Sequence, residues 1–442
     1  MFGYYLELAW RSLKRTPVLS ALMVLTIALG IGASMTTLTV ERLLSGDPVP
    51  ARSATLYHPQ VNPTLPPRMD TEPTSAMDYR SAVELWGAQL AERQVLVANS
   101  PVRVNVPGSG TSPLPRQLLL TTRDFFGMFS APFRFGGAWT LRDEARRAPV
   151  AVISAALNRR LFGGADSVGR SVLLDDREVR IVGVLAPWRP VPRFYDVWNG
   201  HYMQGKTGSF YQRAEDVYLP FFTGLDIFTP PEHAISVHFC WATGIPHGPM
   251  ESWPCAWVSL WVQLSTPQKV NAYRRFLANY AEQQKRAGRF RSAATRMPDL
   301  MSWLAWNDVV PASVRVQAWM ALAFLLICLV NTSGLLLSRF MRRSGEIGVR
   351  RAMGASRRSV FAQCLTESGL VGVMGGVGGW FLTLLGLWIV RQQPSPYADL
   401  AQMNLPMFAA SFLTAVGASL AAGVLPAWRA SRVSIALQLN LL

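Results

Sequence analysis

Seven arginines fall between Arg339 and Arg358 in the segment RFMRRSGEIGVRRAMGASRR, and a long apolar run flanks this segment on each side. A loop this basic between two membrane-spanning patterns stays in the cytoplasm, because the Lys/Arg bias of short loops sets orientation. That one placement orders everything else along the chain.

The totals agree with a mixed protein. At 442 residues, 50% hydrophobic and 16% charged, the chain is too apolar for an ordinary soluble protein and too polar to lie in a membrane throughout. The net charge of +16 does not point to nucleic acid. The arginine loop supplies seven of 43 basic residues, and Arg11, Lys14, Arg15, Arg429 and Arg432 sit at other span ends. Such residues meet lipid headgroups, at ~1 kcal/mol each near an anionic surface. The remainder are scattered among carboxylates over 45–315, without a recognised nucleic-acid motif.

Four spans are expected. Val18 to Val40 is a run of 23 uncharged residues, enough to cross ~30 Å of hydrocarbon. It is too long for a signal h-region and no clear A-x-A site follows, so it reads as an uncleaved span over 18–44. The second span covers 316–338, the third 360–390 and the fourth 406–426. Upstream, Phe2, Tyr5, Leu6, Ala9 and Leu13 recur at helical spacing, which predicts an interfacial amphipathic helix over 1–17 that turns into the membrane at Pro17. Counting crossings puts the N-terminus, the 339–359 loop and the 427–442 tail inside. Residues 45–315 and the short loop 391–405 fall outside. The fold class is therefore four transmembrane helices with a large α+β extracytoplasmic domain inserted between spans one and two.

The third span contains two GxxxG pairs, Gly372/Gly376 and Gly375/Gly379, which let helix backbones approach closely. They serve either packing within the chain or a subunit interface. Glu367 is the one carboxylate in that span and lies ~13 Å along the helix from Arg358. It needs a partner or water, and a structural partner is expected rather than a proton relay. Cys328 and Cys364 read as small apolar packers.

In the outer domain, Pro149 to Ser154 is a buried-strand run and Ala155 to Phe162 a short helix ending at Gly163-Gly164. Ser171 to Leu174 and Val179 to Leu185 are strands joined by a turn at Asp175-Asp176. Trp257 to Leu264 alternates, and Val270 to Gln284 is helical in composition. His233, His238, Cys240, His247 and Cys255 form one cluster. An extracytoplasmic setting favours a Cys240–Cys255 disulfide, worth ~3 kcal/mol on the chain-entropy model. A zinc or copper site and unpaired thiols are the alternatives, and the spacings match no standard metal motif. Phe239, Trp241, Trp253, Trp257 and Trp261 suit either core or a hydrophobic ligand surface.

Gly200 to Thr207, GHYMQGKT, fits the pattern of a phosphate-binding loop. No apolar strand leads into it and Gly208-Ser209 is a poor helix opening, so it reads as a chance match. Leu44-Ser45-Gly46-Asp47 echoes an ABC signature only faintly. No G-x-S-x-G, H-E-x-x-H or C-x-x-C occurs, and neither a catalytic residue nor a metal is assigned.

Four segments carry a resemblance. EIGVRRAMGAS resembles the cytoplasmic coupling segment of ABC permeases of the MacB/FtsX type, also called type VII or mechanotransmission permeases. The opening LAWRSLKRTPVLSALMVLTIALGIGAS resembles their first-span entry, and LPAWRASRVSIALQ their last-span exit. DFFGMF with VAVISAALNRRLFGGADSVGRSVLLDDREVRIVGVL resembles the MacB-like periplasmic domain; the likeness is weak from Ala186 to Pro254. The resemblance implies an inner-membrane permease subunit driving export or efflux of a periplasmic substrate. It implies ABC ATPase partners that carry ATP and Mg, with no cofactor on this chain, and pairing with a second copy or a related permease. An adaptor and an outer-membrane channel are further implied partners. The implied docking face is Glu346, Ile347, Gly348, Val349, Arg350, Arg351, Ala352, Met353, Gly354 and Ala355. Ile347, Val349 and Met353 are its expected apolar anchors, Glu346/Arg350 an i,i+4 pair, and Gly354 a helix stop. FtsX-like control of cell-wall hydrolases and Lol-like lipoprotein release are the alternative outputs. A receptor or assembly factor without an ATPase is the reading from another class.

Overall fold

The computed structural model describes residues 2–64, 72–197, 200–201, 210–228, 235–241, 248–310, 312–393, 397–400 and 405–432. The chain divides into two compact units, a helical one from 1–45 with 310–442, and a sheet-containing one over 46–309.

The chain opens with helices α1 (Phe2–Arg15) and α2 (Pro17–Ser45). In the 46–309 unit follow β1 (Leu56–Tyr57), α3 (Tyr79–Gly87), β2 (Arg93–Asn105), β3 (Leu114–Thr121), α4 (Asp124–Met128), β4 (Phe133–Gly136), α5 (Leu141–Ala145) and β5 (Val150–Ile153). Next come α6 (Ala155–Phe162), β6 (Ser171–Leu174), β7 (Arg177–Leu185), β8 (Val217–Pro220) and α7 (Phe221–Ile227). The unit ends with β9 (Phe239–Cys240), β10 (Cys255–Ala256), β11 (Ser259–Gln263), α8 (Pro267–Arg286) and α9 (Leu300–Trp306). Helices α10 (Ala312–Arg342), α11 (Ser344–Ala352), α12 (Arg357–Gln392) and α13 (Leu405–Ser431) close the chain.

One mixed sheet organises the 46–309 unit, in the order β1-β11-β2-β3-β8-β5-β7-β4, with β6 pairing both β2 and β7. The β3–β8 and β5–β7 pairs are parallel and their neighbours antiparallel. The β6–β7 hairpin turns at Asp175 and Asp176, whose φ values of 46° and 72° suit a two-residue turn. Helix α6 is bounded by local chemistry: the Ser154 side chain accepts from Leu157 N–H, and Gly163 closes it at φ 65°. Helix α8 buries Val270, Tyr273, Leu277 and Ala281 at helical spacing, against the core that holds Leu96, Leu120, Leu219 and Val262.

In the helical unit, α2, α10, α12 and α13 are, among the described residues, the helices long and apolar enough to cross a membrane. Trp319, Phe324, Phe381, Trp388 and Leu413 are exposed on their flanks, a pattern suited to an apolar solvent rather than water. The second apolar helix begins at Ala312 rather than 316 and runs to Arg342 rather than 338. Hydrogen bonding does not stop at the last apolar residue, and arginines suit a helix C-terminus. The third begins at Arg357, where Ser356 caps it, and the fourth continues through Pro426 to Ser431. Hence 312–315, 339–342 and 427–431, expected outside the spans, are helical continuations of them. Within the expected 391–405 loop, Ala398–Leu400 is a single 3-10 turn. Residues 394–396 and 401–404 of that loop, and 433–442 of the tail, lie outside the described residues.

Candidate coupling site

Helix α11 is short because its end is built in. Gly354 takes φ +99°, a conformation that favours glycine. Its N–H bonds to the Arg351 carbonyl at 3.1 Å and Ala355 N–H to the Arg350 carbonyl at 3.1 Å, the paired closure that ends helices at glycine. Ser356 then caps α12 by accepting from Ser359 N–H at 3.2 Å. Glycine stop and serine cap sit two residues apart, so the turn between α11 and α12 has almost no slack.

A ladder of charge fastens α11 to its neighbours. Arg343 donates to Glu346 at 3.0 Å, Arg350 donates to the same carboxylate at 3.1 Å and to Gln363 Oε1 on α12 at 3.1 Å. Arg343 also reaches Glu367 of α12 at 3.2 Å and the Ser12 hydroxyl of α1. Ser12 donates to Glu367 at 3.0 Å and accepts from Arg339 of α10 at 2.8 Å. A second Arg339 nitrogen donates to Ser20 of α2 at 3.3 Å. Glu367 and Arg339 are each only 2% exposed, so their hydration is lost and must be replaced by partners. Five helices thus meet at one buried cluster. Above it, Tyr5 hydroxyl and Ser359 hydroxyl share a hydrogen bond of 2.9 Å, a further tie from α1 to α12.

The residues expected to dock a partner divide between two faces. Val349 and Met353 are 47% and 76% exposed, and Ala352 and Gly354 are exposed beside them. Ile347 is not: it packs against the core that includes Leu13, Phe340 and Val360, and Gly348 is buried. Half-buried Ile347 therefore holds α11 to the chain's own core, on the inner side of the short helix. Glu346 and Arg350 pair as expected at i,i+4, and Arg343 shares the carboxylate. Arg351 and Ala355 complete the segment.

The glycine pairs of α12 face two ways. A side chain at Gly372 would meet Ser419 of α13 at 2.6 Å, and one at Gly376 would meet Ala415 of α13 at 3.1 Å. Gly375 and Gly379 instead lie against Ile27 and Ile31 of α2, at 2.6 and 2.8 Å. All four contacts are within the chain.

In the 46–309 unit, Cys240 and Cys255 are joined by a disulfide between β9 and β10. Trp257 and Trp261 are core residues at 1% and 0% exposure, and Phe239, Trp241 and Trp253 are half-buried. His233, His247 and most of the Gly200–Thr207 string lie outside the described residues. No metal-holding group of His, Cys, Asp and Glu occurs among the described residues. Sequence reasoning missed Ser12, Ser20, Arg339, Arg343 and Gln363 as members of the charged cluster. The signal was present in part: a lone carboxylate in an apolar span demands a cation, and Arg339 and Arg343 stand four apart at the end of the preceding helix.

Known proteins now place the chain. Residues 20–275, more than half of it, match the family of the MacB-like periplasmic core domain. Residues 318–436 match the FtsX-like permease C-terminal family. The pyoverdine export ATP-binding/permease protein PvdT of Pseudomonas aeruginosa is 21% identical over 70% of this chain and 40% of its own length. The macrolide export ATP-binding/permease protein MacB of Azoarcus sp. is 22% identical over 96% of this chain and 57% of its own. A MacB 1/2 protein of Paracoccus denitrificans is 35% identical over 29% of this chain and 19% of its own. The chain thus spans about half the length, or less, of these curated relatives. Four apolar helices with a MacB-like periplasmic domain define a membrane protein of the permease class. The chain belongs to the MacB/FtsX-type ABC transporter permease family.

Proposed function

We propose that this protein is the permease subunit of an ABC exporter of the bacterial inner membrane. In this reading a cytoplasmic ABC ATPase, carrying ATP and Mg, docks on the exposed Val349–Met353 edge of α11. Its closure moves α11, and the 46–309 domain responds in the periplasm to drive export of a periplasmic substrate. Two permeases, identical or related, make the complex, and a periplasmic adaptor and outer-membrane channel would complete the route.

The observation that carries the reading is the cluster around Glu367. A push on a loosely tethered loop dissipates, whereas α11 is bound through Arg343, Glu346 and Arg350 to Glu367 and Gln363 of α12 and to Ser12 of α1. Force applied at Met353 therefore enters several long helices at once. The arginine bias of 339–358 supports a cytoplasmic position for this edge.

Met353→Asp, at a residue exposed to solvent, is expected to abolish stimulation of a co-purified ATPase while the full chain still inserts. Cysteines at positions 353 and 166, labelled from either side of intact vesicles, check the topology. Opposite accessibility is expected; labelling of both from one side would sink the lever.

A further inference from the structure

A cavity of about 680 Å³ opens in the 46–309 unit, where β7 ends and α6 begins, a size that suits a small molecule. Its charge is one-sided. Arg116, Arg159, Arg160, Arg189 and Arg213 line it against two carboxylates, Glu215 and Asp216. Both carboxylates are already answered by the protein. Asp216 meets Arg116 at 3.2 Å and accepts from Ser154 at 2.5 Å. Glu215 meets the buried Arg193 at 2.9 Å and accepts from the Tyr195 hydroxyl at 2.7 Å. Arg159 and Arg160 are exposed on α6 and form no ion pair among the described residues.

Tyr218, at 0% exposure, also lines the cavity, and its hydroxyl lies by that of Tyr195, which donates to Glu215 and keeps lone pairs open to Tyr218. Guanidinium groups match phosphate and carboxylate oxygens in forked geometry. Trp188, stacked on Tyr195 at a centroid distance of 6.0 Å, supplies an apolar plate in the same lining.

We propose that this cavity binds a multiply anionic small molecule through phosphate or carboxylate oxygens. Arg159 and Arg160 hold the anionic groups, and Trp188 packs against the ligand's apolar part. The site goes beyond the coupling reading, since no step driven by ATP enters it and binding alone tests it.

The test uses the full chain in nanodiscs of neutral phosphatidylcholine, titrated calorimetrically with pyrophosphate and separately with citrate. Saturable binding of at least one, with Kd below about 1 mM, is expected, weakened about tenfold or more in Arg159→Ser/Arg160→Ser. Arg274→Ser/Arg275→Ser on exposed α8 is the control and leaves affinity unchanged. Short-chain phosphatidic acid separates the sources: tighter binding than pyrophosphate, with competition, assigns the site to a lipid headgroup, and its failure to compete assigns a soluble anion. No saturable binding of pyrophosphate or citrate overturns the proposal. So does equal weakening by the α8 pair, which would mean bulk charge alone.

Discussion

Two arginines of this chain are buried to similar depth, Arg193 in the sheet unit at 5% exposure and Arg339 among the long helices at 2%. Their partners differ in range. Arg193 pairs with Asp196 and Glu215, and Tyr195 adds its hydroxyl to Glu215. The three charged members of that cluster fall between 193 and 215, with Asn99 of β2 beside Asp196, and it pins an irregular aromatic segment beside β8. Arg339 joins Ser12, Ser20 and Glu367, residues hundreds of positions apart in part. The first cluster is a local staple; the second is a joint among separate helices. Burying charge gains little stability in either place, because desolvation offsets attraction. What it adds is a geometry that cannot be abandoned one partner at a time.

Breaking the staple should cost most. Arg193→Met strands two buried carboxylates and is expected to destabilise the sheet unit by about 4 kcal/mol, read as a lower midpoint in tryptophan-monitored unfolding. Replacing Arg193, Asp196 and Glu215 together by apolar residues should recover most of that loss; no recovery would mean that the cluster does more than pin. Breaking the joint should cost somewhat less. Glu367→Ala leaves Arg339 with hydroxyl partners, while Arg343 keeps Glu346, so about 3 kcal/mol is expected in detergent unfolding assays. If Glu367→Ala instead left stability intact, the joint would be ornamental and the contrast with Arg193 false.

Acid separates the two regions further, since all five histidines fall between 58 and 247. Burial lowers His58 to about 4 and His238 to about 3. The unfolded chain takes up these protons near pH 6.5, so stability present above pH 6.5 is lost as pH falls towards 4, by about 3 kcal/mol for His58. Asp196, which burial raises to about 6, works in the opposite direction between its ordinary value and 6. Histidine-linked loss should therefore appear in the unfolding of the sheet unit. Smallest is Gly375→Val, whose side chain would press into Ile27; about 2 kcal/mol is expected, from thermal shift of the helical unit.

Legibility in the sequence followed how local the determinants are. The stretch from β5 to β7 reads well because Ser154, Gly163 and Asp175-Asp176 mark boundaries within a few residues of what they bound. Strand β2 does not: Asn99-Ser100-Pro101 looks like a turn, yet all three lie in the strand, with Pro101 opposite Gln117. Pairing with β3 overrides that local chemistry, since β11 and β6 pair with β2 only over Arg93–Val97 and Val104–Asn105. The four apolar helices are plain from composition, but their ends are not, because Arg339 and Pro426 sit inside helices whose neighbours accommodate them. In the coupling segment, the glycine stop and the Glu346/Arg350 pair are readable from spacing. The inward turn of Ile347 is not, since it depends on a core assembled from α1, α10 and α12.

The glycine faces of α12 carry a consequence for assembly. One pair is occupied by α13 and the other by α2, so the helix has already used both of its smooth sides inside a single protomer. A second copy approaching in the bilayer finds no such groove on α12. Among the described residues of the apolar helices, open glycines remain only at Gly334 of α10 and Gly417 of α13, where an added Cβ would meet nothing within 4 Å, so any close backbone approach from outside the protomer falls to those surfaces.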